Sequence, residues 1–458
     1  VLSFAGFPQY LDGNTSKSMP EFIKNHKENW IIRESLDKDL IEQYLNDPSF
    51  KPIDPRGWKG RIFHHRRQFK DGQLVFIVNF DSVNTGNFQI QIEGESAVSM
   101  DPLTGEYWQF PCESQNGYLI LKDQLFPGSS RLLFISDRSI QAPELPRSDW
   151  QDALKIETSA TIVRQNEPNM ITLDYCDLKL DGESYKDEYF YNAAEKIFEF
   201  HLKEIYGFNY NPWSVAVQYR TRILDKNNFE AGSGFTAHYP FIIEDDFKPE
   251  DVKAVVEWPE LYTVSCNGAP LNPVHGEWWL DRSFGVYEVS NHLKPGRNVI
   301  TIHADPMDIH AELEPVYLTG NFGLRSDDKG WILIPQEKLE IGSWKEQAMP
   351  FYSNSVSYIK SFEATGQKGA WKIRLNEWRG TVAEVLVNGE SAGIIGWEPY
   401  ELDISDWIKN GSNEVEVKVT GSLKNLLGPH HNNPTNGLVT PWSFFYAPDH
   451  QPPGSAYH

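Results

Sequence analysis

The chain has 458 residues, a formal net charge of −22 and 13% aromatic residues, among them 15 Trp, 20 Tyr and 26 Phe. Its length allows about three domains, and so acidic a surface repels phosphate backbones and anionic bilayers, which excludes nucleic acid and charged membranes as partners while leaving neutral glycans unpenalised. Three scattered cysteines, Cys112, Cys176 and Cys266, build no disulfide framework or metal knuckle, and no apolar run approaches the roughly 18 residues of a membrane span.

Residues 1–55 read as the end of an upstream α/β domain. Val1–Phe4 is a short apolar run stopped by Gly6 and Pro8, as at a strand end. Lys38–Leu45 carries apolar residues at helical spacing. The chain opens without Met in what looks like the middle of an element, so a larger α/β domain is expected before it. Residues 56–145 read as a small β-sandwich: Leu74–Phe80 and Arg131–Ile135 are apolar strands, Phe88–Ile92 alternates with period two, and Asp101–Gly105 is a turn. A Pro-containing linker follows near Gln141–Arg147. Residues 150–335 read as a second sandwich with a helical insertion, Tyr189–Ile205, capped by Gly207. Its strands are expected at Ser214–Ile223, Thr236–Ile243, Ala254–Trp258 and Tyr262–Asn267. Residues 336–446 read as a third, with strands at Ser357–Ala364, Ala370–Leu375, Val382–Val387 and Glu414–Val419. Residues 447–458 form a Pro-rich tail. The fold class expected is therefore mainly β: successive antiparallel β-sandwiches preceded by a partial α/β element.

An internal repeat is the most informative feature. Its first copy runs Val264-Ser-Cys-Asn267-Gly268, Trp278-Trp279, Tyr287–Ser290, then Leu293-Lys-Pro-Gly296-Arg-Asn298 and an alternating strand. Its second runs Val385-Leu-Val-Asn388-Gly389, Trp397, Tyr400–Ser405, then Ile408-Lys-Asn-Gly411-Ser-Asn413 and another alternating strand. Asn388 lies 121 residues after Asn267 (388 − 267). Asn-Gly is a hairpin signal because both residues tolerate positive φ, so two copies of one sandwich plan are expected.

This repeat resembles the galactose-binding-like jelly rolls appended to glycoside hydrolases, including the sugar-binding domain of the β-galactosidase and β-glucuronidase class. The segments Ser422–Asn432, Asn169–Leu178, Glu314–Phe322 and His64–Arg66 with Phe76–Asn79 are similar to α-L-rhamnosidases of glycoside hydrolase family 106. The resemblance covers most of residues 58–446. It implies that the last two sandwiches are jelly rolls and that the catalytic carboxylates sit in an upstream barrel of the same polypeptide. No catalytic residue is carried over to this chain. It further implies a non-catalytic accessory region acting on plant or microbial polysaccharide, an oligo- or polysaccharide partner, a bacterial periplasmic or extracellular location and a structural Ca²⁺, with no organic cofactor.

Candidate site residues follow from chemistry. Trp278, Trp279 and Trp397 fall in equivalent loops of the repeat, where flat aromatic faces match the C–H faces of pyranoses; equally, they can cap the sandwich cores. Trp213, Trp371, Trp378 and Trp407 read as core. His430 and His431 are placed near a sugar by the resemblance alone. Asp245, Asp246, Asp281, Asp305 and Glu312 are candidate Ca²⁺ ligands, though the runs Glu244–Asp246 and Asp305–Glu314 otherwise read as solvated loop carboxylates. Two other readings stay open: an autonomous array of carbohydrate-binding modules, and a lyase-type enzyme with its site between sandwiches.

Overall fold

The computed structural model describes residues 61–144, 160–208, 210–214, 223–364, 370–426 and 448–456, with the short stretches 2–4, 10–11, 14–15, 18–26, 31–33 and 49–53. It divides into two compact units, one of Val1–Ala153 with Trp397–Pro399, the other of Leu154–Gly396 with Tyr400–His458. The fold is mainly β, built from successive antiparallel sheets.

In the first unit, β1 (Leu2–Phe4) is followed by the short pair β2 (Tyr10–Leu11) and β3 (Asn14–Thr15), the helix Ser18–Asn25, and β4 (Ile31–Arg33), which pairs with β1 in parallel. Strand, helix and parallel strand make a small α/β element. Pro20 sits in the first helical turn, where a missing N–H does no harm. The helix expected at Lys38–Leu45 lies outside the described residues.

The sandwich of this unit uses β5 (Phe50–Pro52), β6 (Ile62–Gln68), β7 (Gly72–Asn79), β8 (Gly86–Glu93), β9 (Ser96–Met100), β10 (Tyr107–Gln109), β11 (Cys112–Gln115), β12 (Tyr118–Leu125) and β13 (Ser130–Ser136). They form two sheets, ordered β10-β9-β13-β7-β6 and β11-β12-β8-β5. Phe88, Ile90 and Ile92 from one sheet and Val75, Ile77, Leu133 and Ile135 from the other close a single core. Period two puts these side chains on one face of each strand. His64 and His65 occupy adjacent, exposed positions on β6, and His64 stacks on Phe50 with ring centroids 4.4 Å apart.

The second unit begins with β14 (Ile162–Gln165), β15 (Asn169–Leu173), β16 (Tyr175–Leu180) and β17 (Glu183–Tyr189). The helix Phe190–Phe198 then widens into a π turn over Glu199–Lys203 and ends at Gly207, whose φ of 63° supplies the left-handed cap. The strand expected over Ser214–Ile223 falls mostly outside the described residues; Pro212–Ser214 is a single 3₁₀ turn. Next come β18 (Phe235–Ile243), β19 (Lys253–Glu257), β20 (Thr263–Cys266), β21 (Ala269–Leu271), β22 (Trp278–Trp279), β23 (Asp281–Glu288), β24 (Gly296–Ala304), β25 (Val316–Gly320), β26 (Gly323–Ser326) and β27 (Trp331–Ile334). One sheet is ordered β15-β25-β19-β23-β22. Facing it is an eight-stranded sheet with the path β17-β16-β18-β24-β20-β21, joined by β26 and β27. Ile171, Ala254, Val256 and Leu318 from the first and Leu178, Ala237, Tyr239, Ile300 and Ile302 from the second share one core.

The last strands are β28 (Ser355–Ala364), β29 (Lys372–Arg374), β30 (Val382–Val387), β31 (Glu390–Ile395), β32 (Glu401–Asp403) and β33 (Gly411–Thr420). Their main sheet is ordered β14-β28-β33-β30-β31, so Ile162–Gln165 pairs forward with β28; β29 and β32 pair separately. Val385, Val387, Ile395 and Val415 form its core, against which Trp371, Trp378 and Trp407 pack.

The repeat is visible bond for bond. Asn267-Gly268 has φ of 50° and 84°, Asn388-Gly389 has 54° and 84°, the positive values that only Asn and Gly adopt readily in a two-residue hairpin turn. The Asn267 amide donates to Asn298 Oδ1 (2.8 Å) and the His292 carbonyl (2.8 Å), and its oxygen accepts from Val299 N–H (3.0 Å). Asn388 repeats this with Asn413 Oδ1 (3.1 Å), the Trp407 carbonyl (3.1 Å) and Glu414 N–H (3.1 Å). Asn298 in turn closes the turn before β24 through Lys294 N–H, Lys294 O and Gly296 O; Asn413 closes that before β33 through Lys409 N–H, Lys409 O and Gly411 O. Ser290 and Ser405 each exchange hydrogen bonds with both backbone groups of one residue, Val252 and Trp371 respectively.

Asn298 and Asn413 are 0% and 2% exposed, so truncating either strands several buried backbone groups. Asn413→Ala and Asn298→Ala are each expected to destabilise the second unit by about 2–3 kcal/mol in urea unfolding, whereas exposed Asn410→Ala should change it little; a loss at Asn413 no larger than at Asn410 would contradict the clamp.

Candidate functional site

One face of the first jelly roll gathers aromatics and carboxylates at half-buried positions. Glu257 ends β19 opposite Phe284 of β23, and Val255, two residues earlier, lies opposite Tyr317 of β25. Period two therefore puts Glu257, Phe284 and Tyr317 on one face of the sheet, while Ala254, Val256 and Leu318 point into the core. Trp279 of β22 completes the group. Its ring centroid is 5.2 Å from Tyr317 and 6.5 Å from Phe284, which is 6.0 Å from Tyr317.

The segment leading into β25 supplies the acids. Ala311 and Leu313 are fully buried in the core, and Glu312 and Glu314 alternate with them. Two tyrosine hydroxyls pin this segment by its backbone: Tyr262 donates to the Glu312 carbonyl (2.8 Å) and Tyr239 to the Glu314 carbonyl (2.6 Å). Their carboxyls are then committed to the far side. Glu257, Tyr262, Trp279, Phe284, Glu312, Glu314 and Tyr317 are all half-buried, and burial is the largest influence on the titration of each ionisable one.

Burial, then the charges of Glu257 and Glu195, pushes Glu312 up to about 7. Burial, then Glu312 and Glu257, raises Glu314 well above the carboxylate range. Burial and Asp281 raise Glu257, and a hydrogen bond from Trp258 partly offsets them. Asp174, 2% exposed, is raised to about 7 by burial. Glu195, on the helix Phe190–Phe198, accepts a hydrogen bond from Asn211.

Gly285 shapes the edge of this face. A Cβ there would meet the Pro259 ring at 2.6 Å and 2.8 Å. The bare backbone lets the turn Pro259–Leu261 pack against β23 and fixes Trp258, in a left-handed conformation (φ 48°), beside Glu257.

Of the residues singled out from sequence, Trp279 lies in this cluster and Trp278, 54% exposed, sits at its edge strand opposite Gly285. Trp397 is 51% exposed. His430 and His431 lie outside the described residues. The five candidate Ca²⁺ ligands are used separately. Asp245 and Asp246 are exposed in a turn, Asp281 accepts from Ser283 N–H and Oγ (both 2.9 Å), Asp305 accepts from Gly232 N–H (2.6 Å), and Glu312 joins the cluster. Among the described residues no three His, Cys, Asp or Glu side chains group closely enough to hold a metal, so these five do not fit a Ca²⁺ cage. The run Asp305–Glu314 is solvated at Asp305 but not at its end: Glu312 and Glu314 are drawn inward by the buried Ala311 and Leu313 between which they alternate. Sequence reasoning missed Glu257, Glu314, Tyr317 and Phe284. The signal was there in Ala311-Glu-Leu-Glu-Pro315, whose alternation is that of a strand edge and not of a turn.

No family model matches the chain. A Formosa agariphila protein described as a putative beta-glucuronidase is 32% identical over 94 residues, which cover 19% of this chain and 8% of that protein. The Novosphingobium sp. PP1Y rhamnosidase structure overlaps 89% of this chain and 24% of its own at 13% identity and a TM-score of 0.35. A Streptomyces avermitilis alpha-L-rhamnosidase complexed with L-rhamnose overlaps 77% and 29% at 11% identity and a TM-score of 0.23. At these TM-scores the structural overlaps are weak, and the chain spans less than a third of the length of each of these three proteins.

Carboxyls raised in the fold hold protons more tightly there than in the unfolded chain. The contribution of Glu312 to stability is complete below its ordinary value of 4.5 and is lost as pH climbs through about 7, and the raised Glu257 and Glu314 act in the same direction. The melting temperature of the second unit should therefore fall between pH 5 and pH 8, each raised group contributing up to about 1.4 kcal/mol per pH unit within its window. The combined Glu312→Gln and Glu314→Gln variant should flatten that slope; an unchanged slope would show that other groups set it.

Proposed function

We propose that the chain is the carbohydrate-binding, non-catalytic part of a glycoside hydrolase of the α-L-rhamnosidase type, working outside the cytoplasm on plant or microbial polysaccharide, with bond cleavage assigned to a barrel elsewhere in the polypeptide. One observation carries this reading: the Trp279, Phe284 and Tyr317 rings cluster at half-buried positions on the face of a jelly roll that also bears Glu257. Aromatic faces accept the apolar side of a pyranose while adjacent carboxyls bond its hydroxyls. The twin jelly-roll motif adds support, as does the local identity with a protein described as a putative beta-glucuronidase.

A second reading is favoured by a specific feature. Two or more mutually repelling carboxyls, one poised near neutrality, are what a general acid needs. That reading makes this chain itself a glycosidase or lyase.

Two measurements separate them. Affinity electrophoresis through a panel of soluble plant polysaccharides should show retardation of the chain that Trp279→Ala reduces by about tenfold in affinity, while Trp378→Ala, in the other core, lowers stability instead. Release of p-nitrophenol from aryl rhamnosides and galactosides should stay at the buffer rate; turnover abolished by Glu312→Gln would replace the accessory reading with the catalytic one.

A further inference from the structure

The chain holds five Asn-Gly pairs, at Asn116, Asn267, Asn388, Asn410 and Asn436. Such pairs are chemically labile, because glycine has no side chain to keep its own backbone nitrogen away from the preceding carboxamide. Three of the five occupy the same place, the two-residue turn of a β-hairpin: Asn116 between β11 and β12, Asn267 between β20 and β21, and Asn388 between β30 and β31. Asn410 instead precedes β33, and Asn436 lies outside the described residues. The three turns share one backbone, with φ across each pair of 52° and 82°, 50° and 84°, and 54° and 84°, so turn geometry bears on all three alike. Nor does exposure separate them: Asn116 and Asn267 are both exposed, and Asn388 is half-buried.

Hydrogen bonding separates them. The Asn267 carboxamide is held at both ends, by Asn298 Oδ1, the His292 carbonyl and Val299 N–H, and that of Asn388 by Asn413 Oδ1, the Trp407 carbonyl and Glu414 N–H. The Asn116 side chain makes no hydrogen bond with a described residue. We infer that Asn116 is a site of spontaneous covalent modification, deamidation to aspartate and isoaspartate, and that the clamps at β24 and β33 shield Asn267 and Asn388 from the same reaction. The Gly117 backbone nitrogen loses its proton to base and attacks Cγ of Asn116. The bond from Cγ to the side-chain nitrogen breaks, ammonia leaves, and a cyclic imide closes. Water then opens the ring at either carbonyl, so the net change is one water consumed and one ammonia released, with no redox step. For Asn267 or Asn388 to react, the clamp must open first, and each tenfold of slowing corresponds to about 1.4 kcal/mol of opening free energy. Isoaspartate carries an extra methylene in the main chain. Loop length sets hairpin register, so this product uncouples β11, an edge strand, from β12.

The test is ageing of the full chain in mildly alkaline buffer, once folded and once in concentrated urea, with each Asn-Gly peptide followed by peptide-mapping mass spectrometry. In urea the three hairpin sites should react at comparable rates, which sets aside any effect of their neighbours in sequence. In the folded chain Asn116 should react at least about tenfold faster than Asn267 and Asn388. Hydrogen exchange on the aged protein should then quicken across β11 and β12 and stay unchanged at β20–β21 and β30–β31. Asn116→Gly, which keeps a residue suited to positive φ in the turn, should show no change in exchange over the same period. Asn116 reacting no faster than the two clamped sites, whether all three are slow or all three fast, would overturn the inference, as would Asn267 or Asn388 reacting ahead of it. Isoaspartate accumulating at position 116 with exchange in β11 and β12 unaltered would overturn the loss of register.

Discussion

Two buried asparagines set the frame on which everything else in the second unit hangs. Asn298 and Asn413 each use both ends of their amide to lock the turn that starts a long strand, β24 or β33, and each receives a second asparagine from the neighbouring hairpin. A side-chain amide offers two donors and one two-lone-pair acceptor, and here nearly all are consumed by backbone groups that would otherwise be buried and unpaired. Because β24 and β33 are central strands in their sheets, a slip of one residue would turn every alternating side chain to the wrong face. The clamp thus fixes register, and register fixes which side chains reach the core and which reach the opposite face.

From that register the cluster of rings and carboxyls follows in short steps. β24 aligns β18, which places Tyr239 under the segment entering β25; the turn before β20 places Tyr262 beside it. Two hydroxyl-to-carbonyl bonds then hold Ala311–Pro315 so that its small and apolar members fill the core and its glutamates cannot. The carboxyls end beside Glu257, whose own position is set by the β19–β23 pairing and by Gly285 admitting Pro259. The charge crowding is therefore a consequence of packing on the opposite side of the same strands and turns.

Much of this was legible in the sequence, and the reasons are local. Asn-Gly turns, the Gly-x-Asn elements and the helix ending at Gly207 are short-range devices whose residue types admit few conformations, so the repeat, the sandwiches and the cap could be read directly. Trp279 was reachable because the repeat located its loop. The rest of the cluster was not, because its members come from β19, β23, β25 and the segment before it, separated by up to 60 residues (317 − 257) and joined only by strand pairing. A carboxylate's burial is likewise a tertiary property. Glu244–Asp246 and Glu312–Glu314 look alike as acidic runs, yet the first lies in an open turn and the second is anchored by buried Ala311 and Leu313.

Such crowding has a physical cost that depends on pH. Burial with mutual repulsion penalises the ionised carboxyls, so they lower the stability of their own unit as pH rises. Replacing Glu312 or Glu314 by an apolar residue would relieve that penalty at once. The side of the sandwich that bears the penalty also bears the edge-to-face and tilted rings Trp279, Phe284 and Tyr317, of which Trp279 packs against the core as Trp371, Trp378 and Trp407 do in the second jelly roll. One blueprint has thus been used twice, with tryptophans packed against the core in both copies and crowded carboxyls beside them only in the first.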